Sequence, residues 1–243
     1  MKLCESSMLV SAQPRILYLL QSPCARVKVV ENLGKCDMIT CTINEIRLQM
    51  YTEKSLFSPN HIDKGTLAML SNVDFQQGQK ILDLGCGYGV VGIYAAHMTG
   101  EGNVTMVDID PLAVTFAKRN FIHNGLRDIS VLQSDGFSHV TERDFDLILS
   151  NPPYHADFGV PKKFIEEGFW HLKAGGSMVM VTKRYEWYKN KLKSVFGGVK
   201  VIEEGGYYIF ISQKRGVRKT KEENKPKLSK KLRRKGNRAR SAR

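Results

Sequence analysis

The sequence predicts an α/β fold with a doubly wound, mostly parallel sheet. Three observations carry this prediction. Strand-like and helix-like segments alternate from residue 80 to 213, a glycine-rich turn joins the first of these strands to its helix, and the series closes on a hairpin at Gly205-Gly206. Alternation of this kind builds a parallel sheet with helices on both faces, and a closing hairpin adds one antiparallel strand. A chain of 243 residues has room for one such domain.

Short apolar runs and the placement of proline and glycine predict the individual elements. Five runs read as strands: K-I-L-D-L, N-V-T-M-V-D-I, I-S-V-L-Q, D-F-D-L-I-L-S and S-M-V-M-V-T. V-K-V-I-E-E and Y-Y-I-F-I-S flank the hairpin turn, which makes seven strands. Helices are predicted over 90–98, from Pro111 to Gly125, from Pro161 to a stop at Gly175-Gly176, and over 185–196.

The N-terminal part predicts a β-hairpin extension. M-I-T-C-T-I and E-I-R-L-Q-M each alternate in polarity and meet at Asn44-Glu45. The segment L-F-S-P-N-H-I-D-K-G-T-L-A-M-L then leads into a helix, whereas residues 1–35 show little beyond a possible helix over 14–20. We therefore divide the chain into an extension covering the site (1–70), the main α/β domain (71–213) and a C-terminal tail (214–243).

Charge is concentrated in that tail. Residues 214–243 contain fifteen Lys or Arg and two Glu, whereas residues 1–213 contain equal numbers of basic and acidic residues. With so few apolar residues the tail is predicted to be disordered when free, because it cannot bury enough surface to offset the entropy of ordering. Its charge density favours an arm that binds nucleic acid over a solubility appendage. A membrane surface is a less suitable partner, because the tail lacks aromatic anchors.

Cysteine spacing and hydropathy disfavour metal-binding, membrane-spanning and secreted classes of protein. The five cysteines form no C-x-x-C and have no histidine at metal-ligand spacing, so no metal site is predicted. No apolar run is long enough to cross a bilayer, and the N-terminus lacks a clear signal-peptide core. The expected location is the cytoplasm. Oligomeric state is not predicted.

The turn D-L-G-C-G-Y-G after the first main-domain strand predicts a ligand site. Gly85, Gly87 and Gly89 permit a tight turn whose backbone amides face a ligand at a helix N-terminus. Asp83 stands two residues before the first glycine, and a carboxylate there would repel a pyrophosphate but attract a cation such as an amino-acid ammonium. The expected ligand is therefore nucleoside-like and not phosphorylated.

Two further acids follow the next two strands. Asp108, with Ile109 beside it, ends the second main-domain strand, where an acid accepts hydrogen bonds from ribose hydroxyls. Asp135 follows the third strand and could accept a hydrogen bond from an adenine amino group. For Asp110, directly before Pro111, capping of the following helix is the preferred interpretation. Asp83, Asp108 and Asp135, on successive strand tips, are predicted to form one cofactor site together with the glycine turn.

Four segments in this order, D-L-G-C-G-Y-G, V-D-I-D-P, S-D-G-F and S-N-P-P-Y, resemble class I S-adenosylmethionine-dependent methyltransferases. F-S-P-N-H-I-D-K-G-T, N-P-P-Y-H-A, F-I-E-E-G-F-W-H-L-K-A-G-G and G-G-Y-Y-I-F resemble the small-subunit ribosomal RNA guanine-N2 methyltransferase family. The resemblance covers roughly residues 37–213. It implies a Rossmann-like methyltransferase fold, S-adenosyl-L-methionine as cofactor and an RNA substrate. Well-known members of that family have two tandem methyltransferase-like halves, and this chain has room for one.

The N-P-P-Y segment is the predicted catalytic element. Asn151 and Pro152 offer a side-chain and a backbone carbonyl that can hold the two hydrogens of an exocyclic amine, while the prolines fix the turn. Asn151 would also border the cofactor. Tyr154 could stack on a base that has left its helix or loop. Two further residues are predicted to contact substrate: His155, beside the tyrosine, and Phe57, on the segment that should cover the cofactor.

N-P-P-Y does not by itself select the substrate, because several planar amines fit it. Guanine N2 of ribosomal RNA is the leading prediction, since the flanking segments and the basic tail favour RNA. The alternatives are a tRNA adenine-N6 methyltransferase, a release-factor glutamine-N5 methyltransferase, and a non-catalytic RNA-binding protein on the same fold. The release-factor alternative leaves the basic tail without a role.

Overall fold

The computed structural model describes residues 36–153 and 157–216. Seven strands form one sheet in the order β5-β4-β3-β6-β7-β9-β8. They are β3 (Ile81–Leu84), β4 (Val104–Asp108), β5 (Ser130–Gln133), β6 (Phe145–Ser150), β7 (Leu172–Thr182), β8 (Lys200–Glu204) and β9 (Tyr207–Gln213). Strand β9 is antiparallel to both neighbours and the other adjacent pairs are parallel, as the sequence predicted.

Helices cover both faces of this sheet. One apolar core lies between the sheet and helices α1 (Lys64–Ser71), α2 (Val90–Thr99) and α3 (Pro111–His123). The second core lies under α4 (Gly159–His171) and α5 (Tyr185–Phe196) on the opposite face. The three layers confirm the doubly wound fold. In the described part of the chain, no helix is both long and apolar enough to cross a membrane.

The predicted N-terminal hairpin is present as a separate two-stranded sheet. Strands β1 (Asp37–Ile43) and β2 (Ile46–Thr52) pair antiparallel, and the turn residues Asn44 and Glu45 both have positive φ, at 44° and 71°. Gly205 and Gly206, with φ of 58° and 79°, join β8 to β9 in the same way. Two-residue turns with positive φ match the right-handed twist of the strands they connect.

Two asparagines of α3 attach the hairpin to the main domain. The Asn120 carboxamide accepts from the Tyr51 N–H at 2.8 Å and donates to the Tyr51 carbonyl at 2.9 Å. One turn later, Asn124 accepts from the Gln49 N–H at 3.0 Å and donates to the Gln49 carbonyl at 2.8 Å. Each carboxamide thus makes the two backbone hydrogen bonds that a residue of a neighbouring strand would otherwise make along the outer edge of β2.

Two predictions about the α4 region were wrong. Helix α4 begins at Gly159, so Pro161 lies inside its first turn, where no N–H is required. Gly175 and Gly176 do not stop the helix but lie within β7. A Cβ on Gly176 would stand 2.7 Å from the Phe145 carbonyl oxygen, at a register shift between β6 and β7. The glycine is therefore required by a close approach of two strands.

The predicted boundaries cut through packed structure. Residue 70 lies within α1, a helix that packs against β7 and β9. Lys214, the first residue of the predicted tail, exchanges backbone hydrogen bonds with Gly175 and Gly176. The rest of the tail from residue 217, and the possible helix over 14–20, lie outside the described residues.

Candidate active site

A cavity of about 300 Å³ opens at the carboxyl ends of the central strands. The chain leaves β3 for β4 on one side and later returns to place β6 on the other, so this is the crevice where open α/β sheets bind ligands. Nine residues predicted from the sequence line it: Phe57, Asp83, Gly85, Gly87, Asp108, Ile109, Asp135, Asn151 and Pro152. Gly89 does not. Tyr154 and His155 lie outside the described residues.

The glycine turn gives the cavity a floor of backbone. Gly85 and Gly87 have φ of 77° and 54°, and nothing lies within 4 Å of a Cβ built on Gly87. A side chain there would therefore enter the ligand space and would also strain the backbone. Gly89 has a different role, because its φ of 99° starts α2 where the Ala117 backbone would lie 3.3 Å from a Cβ.

Asp83 is a buried acid at the base of the cavity. The side chain is 2% exposed, and one carboxylate oxygen accepts from the Gly92 N–H at 2.8 Å. Burial raises the pKa of Asp83 to about 7, helped by the nearby charge of Asp108 and opposed by the Gly92 hydrogen bond. A cation bound beside this carboxylate would favour its ionised form. Gly92 is also tightly placed, because a Cβ would meet the Met106 sulfur at 2.2 Å.

Asp108 is fixed at the tip of β4. One carboxylate oxygen accepts from the Gly87 N–H at 2.8 Å and the other from the Asp110 N–H at 3.0 Å. A carboxylate has about four acceptor positions, so Asp108 can also accept from ribose hydroxyls. The following residue, Ile109, is 64% exposed at the cavity mouth. Asp110 caps α3 by accepting from the Leu112 N–H, as expected.

Asp135 has a partner that the sequence did not predict. The Lys163 ammonium contacts its carboxylate at 2.9 Å and its backbone carbonyl at 3.2 Å. The Asp135 hydrogen bond raises the pKa of Lys163. A contact from Asp135 to an adenine amino group would therefore share the carboxylate with an ammonium.

Asn151, directly after β6, is held in one amide orientation. Its side-chain nitrogen donates to an Asp63 carboxylate oxygen at 2.8 Å and to the Thr66 hydroxyl at 2.9 Å. Both hydrogens of the amide are therefore committed to α1 and its cap, and Asn151 itself lines the cavity wall. The preceding residue, Ser150, is buried and donates to the Leu84 carbonyl, which ties the tips of β6 and β3 together.

Sequence reasoning missed Asp63 as a site residue. The same carboxylate oxygen that receives Asn151 also accepts from the Thr66 N–H at 2.9 Å, so Asp63 caps α1. Its other oxygen lies 3.5 Å from the Tyr207 hydroxyl, and Gly65 lets that ring approach because a Cβ would lie 2.7 Å from it. The spacing of Asp63 and Thr66 indicates a helix cap. Its contact with Asn151, 88 residues away, has no local signal.

These donors and acceptors fit a nucleoside that carries a cationic group. The cavity offers a turn without side chains at Gly85 and Gly87, together with the carboxylates of Asp83 and Asp108. Apolar residues, among them Leu84, Val107 and Ile109, supply much of its wall. None of the described residues that line it is a lysine or arginine, which disfavours a pyrophosphate. The site therefore suits S-adenosyl-L-methionine better than a dinucleotide.

Comparisons with known proteins agree with this geometry. The family model for the methyltransferase small domain matches residues 47–211. The chain is 38% identical to ribosomal RNA small subunit methyltransferase C of Mannheimia succiniciproducens over 161 residues, 65% of this chain and 48% of that protein. For the protein of that name from Psychromonas ingrahamii the identity is 32% over 174 residues, 70% of this chain and 49% of the relative. The chain thus spans about half the length of the curated relatives that it matches.

Solved structures show the same fold. A Thermus thermophilus 16S rRNA N2 methyltransferase, solved in complex with AdoMet and guanosine, superposes with a TM-score of 0.70 at 25% identity. The match covers 75% of this chain and 51% of that one. A methyltransferase from Pyrococcus furiosus superposes with a TM-score of 0.55 at 21% identity, covering 70% of this chain and 90% of that one, which bears on the fold alone.

Proposed function

The chain belongs to the methyltransferase small domain family, and from that premise we propose that it transfers a methyl group from S-adenosyl-L-methionine to an exocyclic amine of an RNA base. Guanine N2 of small-subunit ribosomal RNA is the proposed target. The observation that carries the proposal is the fixed amide of Asn151, whose nitrogen is held by Asp63 and Thr66. An amide held in this way presents an acceptor to an amine at the carboxyl edge of the sheet.

S-adenosyl-L-methionine supplies, when bound, an electrophilic methyl group on a sulfonium centre. We assign its binding to the residues predicted from the sequence. Asp108 would accept hydrogen bonds from the ribose hydroxyls, and Asp83 would balance the amino-acid ammonium. The turn of Gly85 and Gly87 would hold the cofactor, and Ile109 and Asp135 would contact the adenine. Gly89 contributes by shaping the turn, since it does not line the cavity.

The acceptor amine is oriented by two carbonyl groups. A base amine is a poor nucleophile because its lone pair is delocalised into the ring. If the Asn151 side-chain carbonyl and the Pro152 backbone carbonyl accept its two hydrogens, the lone pair can turn toward the methyl group. The amine's hydrogens become acidic only as the new bond forms, so these acceptors act mainly in the transition state. Tyr154 and Phe57 are proposed to border the base, and His155 to contact the RNA near it.

Two features support RNA as the substrate. Curated relatives that match the chain are named ribosomal RNA small subunit methyltransferase C, and the T. thermophilus structure contains guanosine. The basic segment from residue 217 onward is proposed as a second contact with RNA phosphates, which would give binding a steep salt dependence. Such a substrate places the protein in the cytoplasm.

The test is to incubate the purified chain with labelled S-adenosylmethionine and, in separate reactions, small-subunit ribosomal RNA, tRNA or a release factor, then to identify the methylated nucleoside or amino acid by mass spectrometry. We expect N2-methylguanosine in the ribosomal RNA, formed roughly 10²–10³-fold more slowly by the Asn151→Ala variant. Detection of N6-methyladenosine in tRNA, or of methylated glutamine in a release factor, would contradict the proposed substrate and identify tRNA or the release factor in its place. Cofactor binding with no transfer to any of these substrates would favour the non-catalytic RNA-binding alternative.

A further inference from the structure

A group of aromatic and cationic side chains lies beside the cavity and has no part in the chemistry proposed above. We call Phe158, Arg184 and Trp187 the stacked surface. The rings of Phe158 and Trp187 stack with centroids 4.4 Å apart and planes 21° apart. The Arg184 guanidinium lies 4.9 Å from the centroid of the Phe158 ring. This arrangement joins residues from the starts of two helices, α4 and α5.

The stacked surface is next to the mouth of the cavity. Phe158 precedes α4, and Val160, two residues further on, lines the cavity. Arg184 follows the end of β7, at the same edge of the sheet as Asn151. Phe158 is 38% exposed and Val160 39%, so apolar surface continues from the cavity outward. A nucleotide adjacent to one that occupies the cavity would meet this surface first.

Its chemistry favours an unpaired nucleic acid. Within four residues of Phe158 or Arg184, the cations Lys162, Lys183 and Arg184 outnumber the acids Asp157 and Glu186, so the charge beside the rings is 3 − 2 = +1. Aromatic rings that stack on bases, combined with cations that contact the backbone, are the elements by which proteins bind single strands. A purely apolar protein partner would gain nothing from the cations, and a double helix could not insert a base into the stack.

We propose that the stacked surface is a second base-binding subsite, which stacks an unpaired RNA nucleotide adjacent to the target nucleotide. The subsite rests on the proposed function for what occupies the cavity, whereas stacking itself needs only an unpaired base. It predicts that single-stranded or looped RNA is preferred over duplex RNA, and that this preference becomes smaller when the rings are removed.

The chain contains two tryptophans, which makes the test direct. Trp187 belongs to the stacked surface. Trp170 is 66% exposed near the other end of α4, about 15 Å along the helix from its start. Trp170→Phe leaves Trp187 as the sole tryptophan, and Trp187→Phe leaves Trp170, so fluorescence excited selectively at tryptophan reports on one position in each variant. Both variants keep the full chain, including the basic tail, which contains no tryptophan.

Each variant is titrated with a 12-nucleotide oligoadenylate and with the same strand in a duplex. We expect saturable quenching of Trp187 by the single strand, weaker quenching by the duplex, and little change at Trp170. Equal responses at the two tryptophans, or none at Trp187, would overturn the subsite. If RNA is methylated while Trp187 does not respond, the proposed function is supported and the subsite is contradicted. If Trp187 responds and no RNA is methylated, the subsite is supported and the proposed function is contradicted.

Kinetics give a second measurement. Phe158→Ala and Arg184→Ala should each raise the KM for single-stranded RNA roughly 10-fold, while kcat and S-adenosylmethionine affinity stay within about twofold. Lys80→Ala is the charge control, because Lys80 is exposed directly before β3, at the amino ends of the parallel strands and away from the carboxyl edge. An equal rise in KM for Lys80→Ala would mean general electrostatic attraction and would contradict the subsite.

Discussion

The two sides of the cavity are built in different ways. On the side where we propose that the cofactor binds (the cofactor side), carboxylates contact backbone amides a short distance along the chain: Asp83 meets Gly92 and Asp108 meets Gly87, nine and 21 residues apart. On the side where we propose that the amine binds (the acceptor side), Asn151 meets the side chains of Asp63 and Thr66, which are 88 and 85 residues away. The cofactor side therefore depends on local backbone shape, and the acceptor side on side chains that the whole fold brings together.

This difference has a functional meaning. Backbone amides cannot be changed by substitution, so the cofactor side can persist while other parts of the chain diverge. A side-chain network can be altered at one position, so the acceptor side is where a related chain could acquire a different substrate. The four variants below examine this contrast, from the largest expected effect to the smallest.

Asn151→Ala should have the largest effect. It removes one of two acceptors that matter most in the transition state, so single-turnover methyl transfer should fall roughly 10²–10³-fold. S-adenosylmethionine affinity, measured by calorimetry, should be nearly normal because the glycine turn and both carboxylates remain. A variant that methylates RNA at the wild-type single-turnover rate would remove Asn151 from the catalytic role.

Asp108→Ala should weaken cofactor binding without altering the residues proposed to hold the amine. Loss of charge-assisted hydrogen bonds to ribose should weaken S-adenosylmethionine binding by about 1.5–3 kcal/mol. Asp110→Ala is the matched control, since that carboxylate caps α3 and does not line the cavity. Equal losses of affinity in the two variants would show that the effect comes from the α3 terminus and not from a contact with the ligand.

Asp83→Asn should separate folding from binding. Because the folded pKa of about 7 is above the unfolded value of 3.8, the stability contributed by protonated Asp83 is complete below pH 4 and is lost as the pH rises through 7. The neutral variant should therefore be more stable than the wild type at pH 8, by about 2 kcal/mol, and similar to it at pH 4. Urea unfolding without ligand measures this difference.

The same variant should bind S-adenosylmethionine less tightly at pH 8, because the ammonium loses its counter-charge. A higher free energy of unfolding together with a lower S-adenosylmethionine affinity would show that the Asp83 carboxylate favours ligand binding and destabilises the fold. A variant that is less stable than the wild type at both pH values would contradict the buried charge as the dominant effect.

Asp63→Asn should have the smallest effect. Asparagine caps helices about as well as aspartate, so α1 should remain intact, while the Asn151 amide loses a charged acceptor. We expect kcat to fall about 10-fold, with S-adenosylmethionine affinity and thermal stability unchanged. Asp110→Asn changes the cap of α3 in the same way and should leave kcat unaltered. If both variants lower kcat equally, Asp63 acts only through helix stability.

The same contrast explains what the sequence could predict. The fold class, the seven strands and the residues at the glycine-turn side of the cavity could be predicted from local signals, because glycines, strand ends and acids lie within one stretch of the chain. Asp63 was missed because its partner is remote, and Lys163 because its pairing with Asp135 also depends on tertiary packing. Gly175 and Gly176 were misread for a related reason: a close approach of β6, not a helix end, requires Gly176.

Asn120 and Asn124, at the end of α3, bear on the tendency of this protein to aggregate at high concentration. An open strand edge is a template on which other chains can add, and it is a common starting point of aggregation. Here the outward-facing groups of Gln49 and Tyr51 are already taken by Asn124 and Asn120. Asn120 is fully buried and also donates to the Tyr88 carbonyl beside the glycine turn. The Asn120 carboxamide therefore both covers the edge of β2 and connects the hairpin to the floor of the cavity. If the hairpin separated from α3, the edge of β2 would be exposed to other chains. The hairpin would at the same time lose its connection to the ligand site.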